Sequence, residues 1–263
     1  MTIIHTILLG IIEGLTEFLP VSSTAHIDIL RALLSIPATD FVKSFEIIIQ
    51  LGAILAVVVL YARRVFSSWT CIKNLIIAFI PTGIIGFILY KIIKSYLLGN
   101  LLVEASALLI GGIIIILFEN YQAKKQSRKV ESQTVETLST RQLLTLGLAQ
   151  SLAVIPGVSR SGAVIISGRA LGLSAILITE FSFLLAVPTM LASSGYDILK
   201  SGLSFSGSEW GTIALGFIVS FIVALFVIRW FLAYIRKHSF RVFGWYRIAL
   251  GSLLILALFF KLL

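Results

Sequence analysis

Long apolar runs separated by short polar or basic stretches dominate the chain. Six of them, at 45–62, 75–90, 103–118, 174–199, 210–234 and 243–260, approach the roughly 20 residues that a helix needs to cross a bilayer. Each is predicted to be a membrane span. Two further apolar stretches, 8–30 and 143–173, are interrupted. In the first, Pro20 has no amide donor and clashes one turn back, so it stops a helix. Ser22, Ser23 and Thr24 follow, each able to cap a new helix. In the second, the interruption is Ile155-Pro156-Gly157, and Ser159 can cap the helix after it.

The connections are predicted as a turn at 36–43, a basic loop at 63–74, a connection at 91–102, a polar stretch at 119–141, a Gly/Ser-rich loop at 200–209 and a basic turn at 235–241. The 119–141 stretch carries Lys124, Lys125, Arg128 and Lys129 and reads as a solvated loop. Pro81, Gly83 and Gly86 loosen the second span, and Pro188 lies in the fourth; Gly111 and Gly112 permit close helix contact in the third. Trp210, Trp230, Tyr234, Trp245 and Tyr246 fall near span ends and read as interfacial anchors. His5 and His238 read as interfacial too.

The two halves echo one another. Leu9-Gly10-x-x-Glu13-x-Leu15 answers Leu146-Gly147-x-x-Gln150-x-Leu152, and Pro20-Val21-Ser22-Ser23 answers Pro156-Gly157-Val158-Ser159. Phe45-Glu46 faces Glu180-Phe181 in the same comparison. The interrupted segments therefore occupy corresponding places, which points to a site near the bilayer midplane. If both are re-entrant hairpins, the basic stretches at 63–74, 119–141 and 235–242 all fall on one side. The positive-inside rule favours that arrangement. It places both termini outside and inserts the hairpins from opposite faces. The expected fold is an all-α polytopic membrane protein of six transmembrane helices plus two re-entrant helical hairpins. It forms a single domain of inverted repeats, about 1–118 and about 142–263, joined by a cytoplasmic loop at 119–141.

Composition sharpens this picture. The chain has 263 residues, 58% of them hydrophobic, with a mean hydropathy of +1.05, so it is no soluble domain. The net charge of +9 suits basic loops on a cytoplasmic face; nucleic acid is not expected as a partner. Cys71, the single cysteine, is placed in the basic loop at 63–74 and excludes an intrachain disulfide; no Cys/His metal pattern occurs. The N-terminus lacks a charged start and a small-residue cleavage site, so no removable signal peptide is expected.

The candidate chemistry lies at the two breaks. Glu13 and Glu17 are four apart and share one helix face, and His26 lies on the first turn beyond the break. Ionisable residues at membrane depth mark functional sites by default. The second break reads Pro156-Gly157-Val158-Ser159-Arg160-Ser161-Gly162. Gly157 and Gly162 let backbone approach a ligand. The helix start beyond Ser159 favours an anion, and Arg160 offers a planar fork of donors suited to phosphate oxygens. Glu17 is an alternative partner for that arginine. Two half-helix starts meeting at mid-depth, one acidic and one basic, point to a phosphate carried by an apolar molecule.

These residues resemble a known family. E-G-L-T-E-F-L-P-V-S-S-T-A-H at 13–26 and P-G-V-S-R-S-G-A-V at 156–164 are similar to the two signature motifs of the bacterial undecaprenyl-diphosphatase (BacA, bacitracin-resistance) family; F-E-I-I-I-Q-L-G-A-I-L-A-V at 45–57 and E-F-S-F-L-L-A-V-P at 180–188 are also alike. The resemblance covers essentially the whole chain. It implies hydrolysis of undecaprenyl diphosphate to the monophosphate, recycling the lipid carrier of cell-wall synthesis and conferring bacitracin resistance. It also implies a bacterial plasma-membrane location, an outward-facing site and a divalent metal ion, Mg²⁺ or Ca²⁺. The family pattern carries over to Glu13, Glu17, Ser23, His26, Ser159 and Arg160. Ala25 stands where the family usually has Gly, and Val164 where it usually has Thr, which loses a hydroxyl.

On that reading Glu17, His26, Ser23 and Arg160 are the catalytic residues. Arg160, Ser159, Ser161, Gly157, Ser22 and Thr24 bind phosphate, and Glu13 and Glu17 hold the metal. Ser23, His26 and water all remain open as the attacking group. The expected partners are a polyprenyl diphosphate and membrane lipid, with a homodimer left open. The competing class is a lipid-phosphate flippase or transporter, because broken helices in inverted repeats also build transporters.

Overall fold

The computed structural model describes residues 1–97, 99–124, 133–201 and 205–262. Lys125, Arg128 and Lys129, and residues 202–204 of the Gly/Ser-rich loop, lie outside them. Among the described residues the fold is all helical: α1 (Ile3–Thr16), α2 (Ser23–Leu33), α3 (Asp40–Phe66), α4 (Trp69–Ile92), α5 (Leu101–Lys124), α6 (Thr140–Ser151), α7 (Arg160–Ala170), α8 (Ala175–Ser201), α9 (Gly207–Ile235) and α10 (Arg241–Phe259). Six of these, α3, α4, α5, α8, α9 and α10, are long and apolar enough to cross a membrane. The other four have 14, 11, 12 and 11 residues. At 1.5 Å per residue the longest reaches only about 21 Å, short of the roughly 30 Å hydrocarbon core. The element order is compatible with two helical hairpins, α1–α2 before the first span and α6–α7 between the third and fourth.

The breaks follow from local chemistry. A proline ring excludes the carbonyl four residues earlier, and α1 ends at Thr16, four before Pro20. The stop thus comes a turn earlier than the proline itself, leaving Glu17 as the helix cap. At the second break, α6 passes through a short 3₁₀ turn (Leu152–Val154) before Pro156. Gly157 then takes φ +88°, a left-handed conformation that glycine adopts without penalty.

Small residues hold each broken segment against a span. A side-chain carbon at Gly10 or Gly14 of α1 would lie 2.9 Å from Gly216 O or 2.6 Å from Ser220 O of α9. Gly147 of α6 meets the Ala78 carbonyl of α4 in the same way. Close backbone approach of this kind drives helix association where the solvent is itself apolar. The α5–α10 pair uses Gly112 against the Gly244 carbonyl and Gly251 against the Ala105 carbonyl. The central core gathers Phe18 from the first break with Phe181, Phe183 and Phe231 from the spans; Phe18 meets Phe183 edge-on at 5.2 Å. Large apolar residues such as Ile84, Ile110, Leu117 and Phe226 face outward, as lipid contact requires.

Three expectations are corrected. The basic loop at 63–74 is helical over most of its length: α3 continues to Phe66 and Ser68 caps α4 by accepting from the Cys71 amide at 3.2 Å. Arg63 and Arg64 complete the last turn of α3, where the helix dipole favours cations, and Cys71 is buried. The 119–141 stretch is not simply a solvated loop. α5 runs on to Lys124. Val135 and Leu138 are buried, and Asn74 donates to the Val135 carbonyl at 2.9 Å. The connection at 91–102 is largely consumed by α4 and a π-helical turn, Ile93–Leu97.

Candidate active site

The two breaks interlock. Ser161 Oγ donates to the Leu19 carbonyl at 2.8 Å, and Ser159 Oγ lies 2.9 Å from Ser161 Oγ and 3.3 Å from the same carbonyl. Ser159 also caps α7, accepting from the Gly162 amide at 3.1 Å. One of the helix-start amides expected to meet an anion is therefore already satisfied by the cap.

This contact brings the acidic and basic segments together. Glu17, Ser23 and Arg160 are buried, with 5%, 8% and 7% of their surface exposed. Ser23 Oγ donates to Glu17 Oε2 at 2.6 Å. Arg160 Nη2 donates to Glu17 Oε1 at 3.0 Å, and Nη1 to the Ser182 carbonyl of α8 at 2.8 Å. Each carboxylate oxygen of Glu17 thus has one donor, one from each break. A hydroxyl held on a carboxylate is the arrangement of an activated nucleophile and its base. A guanidinium fixed within the same triad can follow charge onto a phosphoryl group.

Glu13 sits one turn back on α1, its carbonyl accepting from the Glu17 amide at 3.0 Å. Its Oε1 is buried and unpaired among the described residues. Glu46 and Glu180, the other carboxylates of the aligned halves, pair elsewhere. Glu46 meets Arg31 at 3.3 Å and Glu180 meets Arg64 at 2.7 Å.

Ser22 and His26 form the turn into α2. Ser22 has φ +73°, strained for a residue with a side chain, and its hydroxyl makes no cap bond. Its carbonyl instead accepts from His26 Nδ1 at 2.7 Å. In the neutral ring Nε2 is then an acceptor, and it lies 2.6 Å from the Tyr246 hydroxyl, with the two rings stacked. Both nitrogens of His26 are therefore engaged. Thr24 is exposed and joins none of these hydrogen bonds among the described residues. Val164 and Ala25 are fully buried, Val164 within the apolar core.

Two residues at this site escaped the sequence reading. Tyr246, expected only as an interfacial anchor, also serves the site: α10 passes beside the first break and its hydroxyl lies 2.6 Å from His26 Nε2. Arg247, 2% exposed, binds the Pro20 carbonyl at 3.2 Å and the Gly157 carbonyl at 2.9 Å, one from each break. It also binds Ala107 O at 2.9 Å and Leu108 O at 3.3 Å on α5. Gly111 leaves the space: a side-chain carbon there would fall on the guanidinium. The missed signal was a lone arginine inside an apolar run, the kind of residue that singled out Glu13 and Glu17. For Tyr246 no sequence signal separates this role from an anchor.

Comparison with known proteins places the whole chain. Residues 6–253 match the family described as bacitracin resistance protein BacA. The undecaprenyl-diphosphatase of Aquifex aeolicus is 52% identical over 260 residues, covering 99% of each chain. That of a Sulfurihydrogenibium species is 47% identical, covering 96% of this chain and 98% of the relative. That of Thermus thermophilus is 43% identical, covering 94% of each. With its two motifs meeting at one buried triad and its full length matched, this multi-pass membrane protein belongs to the BacA family.

Proposed function

We propose that the protein hydrolyses undecaprenyl diphosphate to undecaprenyl phosphate and inorganic phosphate, returning the lipid carrier to cell-wall synthesis and so conferring bacitracin resistance. The names of its full-length relatives support the reaction. The observation that carries the mechanism is the buried Ser23–Glu17–Arg160 triad. Glu17 accepts the Ser23 proton as Ser23 Oγ attacks the terminal phosphorus. The bond from that phosphorus to the bridging oxygen breaks, and the lipid monophosphate leaves. Water then cleaves the phosphoserine, releasing inorganic phosphate and returning the proton to Ser23. Arg160 holds the phosphoryl oxygens through both steps, using the fork that now rests on Glu17 and the Ser182 carbonyl.

The donor set fits a hard divalent cation. Glu13 Oε1 is an unpaired buried carboxylate oxygen one turn from Glu17. No cluster of three His, Cys, Asp or Glu side chains occurs among the described residues. Mg²⁺ is typically held by one or two carboxylates together with substrate phosphates and water. Glu13 and Glu17 would hold it, and it would supply charge neutralisation on the diphosphate. The test is release of phosphate from undecaprenyl diphosphate by the purified protein in detergent. Release that stops in excess chelator is expected. Binding of the lipid without release would identify a transporter, since transport needs two compartments and hydrolysis needs none.

His26 supports the site through Tyr246. With Nδ1 on the Ser22 carbonyl, the Tyr246 hydroxyl fixes the ring that shapes the strained turn before Ser23. Tyr246→Phe should lower kcat about tenfold with little change in KM, the scale expected for losing one positioning hydrogen bond of about 1.4 kcal/mol. In a His26→Gln background the same change should have no further effect. Equal losses in both backgrounds would remove Tyr246 from any role through His26.

The breaks are read as re-entrant hairpins of an inverted repeat in the bacterial plasma membrane, with both termini and the site facing outside. The supporting feature is that Arg63 and Arg64 close α3, Lys73 falls in the first turns of α4, and Arg236 and Lys237 follow α9, helix ends that alternate crossing brings to one face. Single cysteines, introduced with Cys71 removed, should react with an impermeant reagent in intact cells at residue 2 and not at residue 139. The reverse pattern would overturn the topology.

A further inference from the structure

A cavity of about 410 Å³ lies between α4 and α8, above the second break. That volume falls in the usual range of ligand pockets, about 300–1,000 Å³. Its lining is divided by chemistry. Arg160 and Gln150 form a polar floor, while Phe79, Phe87, Val154 and Met190 contribute apolar walls. Two floor atoms are buried and have no hydrogen-bond partner among the described residues: Arg160 Nε and Gln150 Oε1. Gln150 is 1% exposed and is held in place by its Nε2, which donates to Thr82 at 3.0 Å and Thr189 at 2.9 Å. At the far end Tyr90 and Tyr196 meet edge-on at 5.0 Å.

The space arises where small residues stop being packed. Gly147 presses α6 onto α4 at Ala78, but two turns further along α4 a side-chain carbon at Gly86 would meet nothing within 4 Å. The counterpart of that contact at the other break, α1 against α9, is closed at both Gly10 and Gly14. The gap is therefore on one side of the molecule. It involves the C-terminal halves of α4 and α8, toward the ends from which both helices leave the bundle.

We propose that this cavity receives the isoprenoid units next to the diphosphate, so that the lipid reaches the triad sideways between α4 and α8. The inference rests on the diphosphatase reading and adds where the chain lies. A lipid diphosphate needs a cationic floor continuous with an apolar wall, and the same guanidinium that binds Glu17 is the floor here. A long polyprenyl chain cannot be enclosed in such a volume. Its first units fill the cleft and the remainder passes out into the bilayer.

The experiment uses the full chain in detergent and a farnesyl diphosphate carrying a terminal benzophenone. Photolysis should attach the label to peptides of α4 and α8, and excess undecaprenyl diphosphate should prevent it. Gly86→Trp, which fills open space, should raise KM for undecaprenyl diphosphate about tenfold, as misfit in a hydrophobic pocket does, with kcat little changed. Gly211→Trp on α9, also facing open space, should leave both constants as they are. Label confined to other helices, or an unchanged KM in Gly86→Trp, would overturn the proposal. Phosphate release by the wild-type protein is read in the same samples. Loss of that release would instead indict the diphosphatase reading, whatever the label shows.

Discussion

Arg160→Lys is expected to lower turnover about 10²–10³-fold while the protein still accumulates in the membrane. The charge is kept, but the geometry is not. Arg160 now spans two acceptors, Glu17 Oε1 at 3.0 Å and the Ser182 carbonyl at 2.8 Å, from opposite sides of the site. Two parallel donors can hold two phosphoryl oxygens as negative charge moves to the leaving group; lysine brings a point charge on a flexible stem. Loss of one aligned donor to a developing oxyanion typically costs about 10²–10³ in rate. Substrate affinity should fall less than turnover, because the remaining ammonium still attracts the diphosphate. Near-normal activity of the lysine variant would make Arg160 a structural cation for Glu17. A second pair of variants separates the two roles. Arg160→Ala alone strands a buried carboxylate, at a cost of about 3–5 kcal/mol, and Glu17→Gln should restore that stability. The restored double variant should be folded and inactive; folded and active would contradict a catalytic arginine.

Ser23→Ala should be the most damaging single change, with turnover reduced about 10³-fold or more, as removal of a nucleophile is in other covalent catalysts. Its effect on folding should be small. Among the described residues the hydroxyl donates to Glu17 Oε2, and in the variant that carboxylate still keeps its ion pair with Arg160. Ser23→Cys should not rescue at neutral pH, since the larger sulfur displaces the attacking atom from a distance set at 2.6 Å. The comparison is made by kcat on undecaprenyl diphosphate and by thermal unfolding in the same detergent. A Ser23→Ala enzyme of wild-type rate would mean that water attacks directly and that Ser23 only orders the turn.

Most of the fold was legible because the bilayer imposes a simple rule on sequence. Long apolar runs must be helices, and all six expected spans were found, though α3, α4 and α5 run several residues past their apolar limits. The overrun has a cause: residues such as Arg64 and Asn74 find protein partners beyond the apolar run, at Glu180 and Val135. Polarity therefore marked the edge of the hydrocarbon rather than the end of the helix. The triad was legible for a related reason. Charge inside an apolar run is costly, so Glu13 and Glu17 stood out, as did Arg160 beside its proline-glycine break. What sequence did not disclose were contacts set by packing alone. Arg247 bridges carbonyls 227 and 90 residues away in the chain, and Tyr246 reaches His26 across 220 residues. Carbonyl partners leave no trace in side-chain identity. Thr24 shows a related limit: its place at the helix start was legible, but its exposure, set by the direction of the helical turn, was not.

The fate of the terminal phosphate in a single turnover tests the central claim most directly. The purified protein, in excess over undecaprenyl diphosphate labelled in its terminal phosphate, is quenched at increasing times. Label is then sought in intact lipid, on protein and as inorganic phosphate. Label is expected to pass transiently through a peptide containing Ser23 and then appear as inorganic phosphate, with both events absent in Ser23→Ala. Recovery of all label as intact lipid diphosphate at every time, from protein that binds it, would contradict hydrolysis. Release at the wild-type rate by Ser23→Ala would contradict the site.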